Sequence, residues 1–334
     1  MTWFDVLTGF PEVSPRLVRQ NMMVTGDTLT SRVNRKVYTC GRLETPSLGE
    51  LRTRVGASCQ ARGKLSVREV VADVFHLHAQ PSNAGCLFQV ASQSNLLEMV
   101  SPEVTPEQGV GIYEHDLTQG PRCAIAAGAG TIYRNYFVPV AGQVGQSASC
   151  QIDCLADLGR AFGNSEQRLW EMKNGYALAS RDGLIEISRR LNASSEHDRD
   201  QLRQLLRIGL QWHTQVTIDN SQHTVSQAYC SALPVAYSPH AADLWEAFAR
   251  LVLEAAYEAT LCSAILNSLS TGNRCVFLTL LGGGAFGNKT EWITASLERA
   301  LQLYAHWDLD VAIVSYGASK PFIRQLLSQF SRSA

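Results

Sequence analysis

Excess charge is the first thing this sequence lacks. Lys and Arg total 29 against 30 Asp and Glu, a formal net charge of -1. So even a balance gives no pull toward nucleic acid or an anionic membrane, and neither is expected as a partner. No apolar run reaches the roughly 18 residues that a membrane-spanning helix needs. The opening stretch, MTWFDVLTGFPEVSPRLVRQ, has no basic segment followed by an apolar one. No secretion signal is read there, and a cytoplasmic location is expected. Ser92 and Ser94 lack the G-x-S-x-G elbow, which argues against a serine hydrolase.

Zinc spacing is missing too. The nine cysteines are odd in number and scattered, and Cys86, Cys123, Cys230 and Cys275 sit inside apolar runs. Buried free thiols in a reducing compartment account for that pattern. Cys150 and Cys154 are four apart but have no second ligand pair nearby. His76 and His78, alternating on one face of an extended run, have no evident third ligand. No metal and no resident cofactor is expected.

What remains is a chain of 334 residues, 45% hydrophobic, long enough for a sizeable core. Residues 1–60 read as an N-terminal extension packing on the core, and residues 61–334 as one α/β domain. In the extension, Ser47-Leu48-Gly49-Glu50 is a capping box that starts a short helix. SVREVVADVFHLHA and GCLFQVASQ read as strands, and WEMKNGYALAS, GLQWHTQVTI and VSQAYCSALPVAY as further extended segments. Thr105-Pro106-Glu107-Gln108 predicts a helix start, with Glu114-His115-Asp116 at the exposed end of that helix. GPRCAIAAGAGTIYRNYFVPV begins helical and ends extended. Leu244, Phe248, Val252, Ala255, Ala259, Cys262 and Leu266 recur at helical spacing and define a long helix over 241–270. A strand CVFLTLL, a glycine loop, a helix, a strand VAIVSYG and a last helix follow. This alternation predicts an α/β fold with a mixed sheet and helices on both faces.

The glycine loop holds most of the chemistry. Gly282, Gly284 and Gly287 have the G-x-G-x-x-G spacing with which backbone amides hold a pyrophosphate. A dinucleotide-dependent oxidoreductase needs more: several βα units after the loop and an acidic residue at the far end of the next strand. Here that strand has Asp308 and Asp310 at its start and Tyr316 at its end. An NAD(P)-dependent oxidoreductase therefore stays as the alternative, and so does a tight turn without a ligand.

The order of elements resembles that of the macrodomain family, the ADP-ribose-binding fold. GGGAFGN matches the Gly-aromatic-Gly loop, with Phe286 as the aromatic and Asn288 where the family often has proline. His213-Thr214-Gln215-Val216 matches a His-Thr motif on the strand before the long helix. LFQVASQSNLLEM is similar to the strand and turn that carry a ribose-binding asparagine, here Asn95. The glycines that usually follow that asparagine are replaced by a longer insert, in which Gln119-Gly120-Pro121 precedes a small-residue helix. The chain is most like an enlarged member, comparable with the poly(ADP-ribose) glycohydrolase branch, but without its paired-glutamate signature.

The resemblance implies a three-layer macrodomain-like sheet and a site for ADP-ribose, free or on an ADP-ribosylated macromolecule. Gly282, Gly283, Gly284, Ala285, Phe286, Gly287 and Asn288 would hold the diphosphate. Gln93 and Asn95 would meet the distal ribose, and Gln119 and Gly120 would close the other side. Glu98, three residues past Asn95, is the candidate acid for hydrolysis of an ADP-ribosyl bond. A reader without chemistry would use the same pocket and no acid.

Overall fold

The computed structural model describes residues 1–58 and 63–333. Seven strands form the central sheet: β1 (Arg42–Glu44), β2 (Ser66–Val71), β3 (Leu87–Ala91), β4 (Gly209–Gln215), β5 (Thr224–Cys230), β6 (Cys275–Leu278) and β7 (Asp310–Ser315). Their lateral order is β1-β4-β5-β3-β6-β7-β2. From β5 to β2 all neighbours are parallel, while β4 runs antiparallel to both β1 and β5.

Both faces of this sheet are buried, so its middle strands read as apolar runs. Leu87, Val276 and Val311 point into the larger core, with the helices Leu48–Gly56, Arg181–Ala193, Ala242–Thr271 and Thr290–Leu303. Phe88, Phe277 and Ala312 point the opposite way, toward the helices Val74–Ala79 and Gln119–Ala126. The architecture is the three-layer α/β sandwich expected.

The long helix spans Ala242–Thr271 and stops at Gly272, whose φ of 75° is left-handed. Its Glu258 is almost fully buried, and the guanidinium groups of Arg52 and Arg299 both hold it. Those two arginines tie the helices Leu48–Gly56 and Thr290–Leu303 to the central one. A buried carboxylate is tolerable on such terms because its lone pairs are satisfied by charged donors.

Three local expectations fail. SVREVVADVFHLHA is a strand only to Val71; Asp73 then caps the helix Val74–Ala79 through the Phe75 amide. His76 and His78 therefore do not share a face. His78 is fully buried, stacks on Phe88 with centroids 3.8 Å apart and bonds Val74 and Gln227; burial pushes it down to about 4. Among the described residues no cluster of His, Cys, Asp or Glu is suited to a metal. Thr105 does not cap: Pro106–Gln108 is one 3₁₀ turn, closed at Gly109. The aromatic end of GPRCAIAAGAGTIYRNYFVPV is helical too, over Gly128–Tyr136.

Residues 1–39 form a separate small layer of two helices and a three-stranded antiparallel sheet. Residues 42–56 already belong to the central unit, as β1 and the helix Leu48–Gly56, which Ser47 caps as expected. The layer grips the segment around Val110 and Gly111. Glu12 accepts from the amides of Val110 and Gly111 and from the Tyr136 hydroxyl. Trp3 adds its Nε1–H to the Val110 carbonyl and its amide to Glu114. A side chain at Gly109 or Gly111 would collide with the Glu12 carboxyl.

At the other edge of the sheet, β2 pairs with β7 over its whole length. Glu69 on β2 accepts from the hydroxyls of Ser315 and Ser319 and from the Lys320 amide. No helix among the described residues is long and apolar enough to cross a membrane.

Glu12→Ala leaves three buried donors, on Val110, Gly111 and Tyr136, without their acceptor. It should lower unfolding free energy by about 2–3 kcal/mol in urea titrations; a change under about 0.5 kcal/mol would mean the N-terminal layer is not what holds this segment.

Candidate functional site

A cleft opens at the carboxyl ends of β3 and β6. After β3 the chain moves toward β4 and β5; after β6 it moves toward β7. Such a point of divergence leaves a crevice outside the strand ends. The cleft has a narrow inner chamber of about 140 Å³ and a wider outer one of about 680 Å³. Thr118, Gln119, Thr279, Leu280 and Gly284 line both, so the two adjoin.

The glycine loop forms the wall between them. Gly282 and Gly287 have φ of 75° and 69°, so glycine is required at both. The Asn288 amide donates to the Gly282 carbonyl, and Ala236 donates to the Phe286 carbonyl. The Asn288 side chain, itself buried, donates to the Leu233 carbonyl. Asn288 therefore closes the loop and does not face the cleft. Among the described residues the N–H groups of Gly282, Gly284, Ala285 and Phe286 have no hydrogen-bond acceptor. Successive free amides in one turn make a concave site for an anion. The following helix begins only at Thr290, so the turn itself, and not the helix end, supplies these donors.

A second set of amides stands opposite. The helix Gln119–Ala126 starts against the end of β3, and the N–H groups of Gln119 and Gly120 precede its first helical bond. The Gln119 side chain donates to the Gln89 carbonyl and accepts from the Ala91 amide, extending the strand end like another strand. Gln119 thus offers the cleft its backbone while its side chain is engaged. A Cβ at Gly120 would lie 2.0 Å from the Ala91 carbonyl and 2.2 Å from Glu98 Oε2. Only glycine lets helix, strand and carboxyl meet.

Glu98 sits on the turn after β3, which is over-determined by its contacts. Gln93 accepts from the Met99 amide, Asn95 accepts from the Leu97 amide, and the Gln146 side chain donates to the Asn95 carbonyl. Leu96 has a φ of 66°, unusual for a branched residue, and Arg134 Nε donates to its carbonyl. The Tyr113 hydroxyl accepts from the Glu98 amide. Asn95 is fully buried, with its amide group donating to Gln151. It shapes the turn from beneath and does not reach the cleft, contrary to the expected ribose contact. Gln93 does line the inner chamber.

The Glu98 carboxyl is buried, 4% exposed as a residue, and lines the inner chamber. Its Oε1 has no hydrogen-bond partner among the described residues. Burial pushes it well above the usual carboxylate range; the Arg134 charge opposes that rise and Asp116 adds to it. Arg134 is itself buried, its guanidinium 3.7 Å from the centroid of the Tyr229 ring.

Other cleft residues carried no sequence signal. Tyr176, Tyr237 and Phe286 form an aromatic cluster with centroids 5.1–5.6 Å apart. Only Phe286 was identifiable from the sequence, by its place among the glycines. Asp116 lines the inner chamber through a turn in which its carboxylate accepts from the Thr118 amide; it is not the exposed helix end expected. In the outer chamber, Arg122 bonds Asp73 and covers the Phe75 ring, and Tyr316 and Phe322 supply apolar wall. His213 lies outside both chambers. It has a φ of 54° at a bulge on β4, and β5, not β4, leads into the long helix.

The oxidoreductase alternative gains nothing here: Asp310 at the start of β7 is paired with Arg68, at the end of the sheet away from the cleft.

Two measurements follow from this geometry. Gly120→Ala should destabilise the fold by about 2 kcal/mol or more in urea, whereas Gly284→Ala, whose Cβ meets nothing within 4 Å, should be nearly neutral. Folded protein holds the Glu98 proton to higher pH than the unfolded chain, which releases it near 4.5. Stability from this group is full below that value and falls as pH rises toward the folded one. Glu98→Gln removes the fall, so the variant should melt above wild type at neutral pH, with the gap closing toward pH 4.5. A gap independent of pH would show that Glu98 is not held protonated.

Comparison with known proteins gives structural likenesses only. No family model matches the chain, and no curated protein matches it. Among solved structures, poly(ADP-ribose) glycohydrolase from Deinococcus radiodurans in complex with ADP-ribose is 10% identical, with a TM-score of 0.46 over 96% of this chain and 97% of that one. The glycohydrolase from Thermomonospora curvata bound to the inhibitor ADP-HPD is 11% identical, with a TM-score of 0.44 over 96% of each chain.

Proposed function

We propose that the cleft binds ADP-ribose, free or attached to a macromolecule, and that the protein hydrolyses the bond at the anomeric carbon of the distal ribose. The observation that carries the proposal is the Glu98 carboxyl: buried, unbonded at Oε1, and in the same narrow chamber as the free amides of the glycine loop. A protonated carboxyl beside an anion-binding turn is suited to a leaving group next to a phosphate.

In this reading the diphosphate lies between the Gly284–Phe286 amides and those of Gln119 and Gly120. The adenosine half occupies the outer chamber, against Tyr316 and Phe322. The distal ribose enters the inner chamber beside Gln93 and the cluster of Tyr176, Tyr237 and Phe286. Glu98 gives its proton to the departing oxygen as the C–O bond breaks with oxocarbenium character. The carboxylate so formed is stabilised by the nearby Arg134 charge and takes a proton from the attacking water, which restores the acid. A cytoplasmic location fits the eight described cysteines, all of them free.

Thermal-shift and calorimetric titration with ADP-ribose, NAD and NADP test the ligand. ADP-ribose should stabilise the wild type; stabilisation by NAD alone would overturn the reading. Gly284→Val should fold normally and lose ADP-ribose binding, because its side chain enters the cleft. Glu98→Gln should keep binding and slow release of ADP-ribose from a modified protein by about 10²–10⁴-fold. No release by wild type, with binding intact, would make the protein a reader.

A further inference from the structure

Two cysteines lie side by side at the end of the sheet opposite the cleft. Cys275 opens β6, and Cys86 immediately precedes β3. In the parallel pairing of these strands Val276 stands beside Leu87 and Phe277 beside Phe88. One step back along both strands brings Cys275 beside Cys86. The shared face is marked two residues further on, where Phe88 and Phe277 stack with centroids 4.6 Å apart. Cys86 belongs to that apolar cluster and Cys275 packs against it.

The two thiols interact with each other but differ in access. Cys86 is 1% exposed; Cys275 is half-buried. Arg68 on β2 places Nη2 3.8 Å from Cys275 Sγ, while its Nε and Nη2 also bond Asp310. Neighbouring strands lie about 4.8 Å apart, inside the Cα separation of about 4.4–6.8 Å that a disulfide spans.

We propose that Cys275 and Cys86 form a thiol–disulfide exchange site, with Cys275 as the attacking thiol, Cys86 as the resolving thiol, and a small disulfide as the oxidant. The contact with Cys86 and the Arg68 cation favour the Cys275 thiolate against burial and the Asp310 charge; the contact with Cys275 and burial disfavour ionisation of Cys86. The Cys275 thiolate attacks one sulfur of the oxidant and expels the other as a thiolate, leaving a mixed disulfide. Cys86 then loses its proton to solvent or the departing thiolate. It attacks Cys275 Sγ, forms the Cys86–Cys275 bond and expels the second thiolate. Two protein thiols are oxidised by two electrons, and one disulfide is reduced to two thiols. The bond joins β3 to β6 at the ends opposite the Glu98 turn and the glycine loop. The site does not depend on how the cleft is read.

The test uses the full chain and oxidised glutathione, followed by alkylation of remaining thiols under denaturing conditions, digestion and mass spectrometry. Wild type should yield a linked peptide pair containing Cys86 and Cys275. Cys86→Ser should accumulate glutathione on Cys275, and Cys275→Ser should leave Cys86 unmodified. Arg68→Ala should slow capture of Cys275 about threefold or more. Wild type in which both thiols remain open to alkylation, or in which Cys275 joins another cysteine, would overturn the proposal. That result needs no variant, so a serine substitution that fails to fold does not rescue it.

Discussion

At Gly120 three things occupy the space of two. The end of β3, the start of the helix Gln119–Ala126 and the Glu98 carboxyl converge where a single methyl group would collide with a carbonyl and a carboxylate oxygen. Everything at the cleft follows from that approach. The helix can present its first amides only because it sits flush against the strand end. Glu98 is almost fully buried because the helix covers it. The Gln119 side chain makes the junction possible by satisfying the last donor and acceptor of β3 that an ordinary helix start would strand.

The polar groups under the cleft divide into those fully satisfied and those that are not. Asn95, Gln93, Gln146 and Gln119 have their amide groups engaged, and together they fix the turn. Glu98 Oε1 and Arg134 Nη1 stand without partners among the described residues. An unpaired polar atom in a dry setting is costly. Finding one at the head of a cleft, on a turn containing the strained Leu96, separates the part of this region that serves stability from the part that does not.

Long-period features were legible in the sequence. The helix Ala242–Thr271 showed because a buried helix repeats its apolar positions over many turns. The central strands showed because both faces are covered. The glycine loop showed because Gly282 and Gly287 need backbone angles that other residues resist. Short range misled wherever a distant partner decided the outcome. Asn95 looked like a ligand contact, but its side-chain amide bonds Gln151, and the 174–175 turn packs against it. Tyr176 and Tyr237 come from separate segments and reach each other and Phe286 only once the chain is folded. Arg134 is held by the face of Tyr229, which comes from a strand far along the chain. Thr105 had a capping sequence, yet only two short 3₁₀ pieces form, Pro106–Gln108 and Gly111–His115, with Glu12 holding the amides of Val110 and Gly111 at their junction.

The edge strand β2 has a consequence for how the chain comes to be folded. Among the described residues, 66–71 pair only with 310–315, so the chain must be synthesised through residue 315 before that strand has its full neighbour. At ordinary rates of translation this is a wait of tens of seconds with an unpaired edge exposed. Arg68 and Glu69 suit such a wait: charges on a solitary strand discourage pairing with another chain. When β7 arrives, Asp310 takes up Arg68, and Ser315, Ser319 and Lys320 take up Glu69. The groups that guard the strand while it is alone are the ones that fasten it once its partner exists.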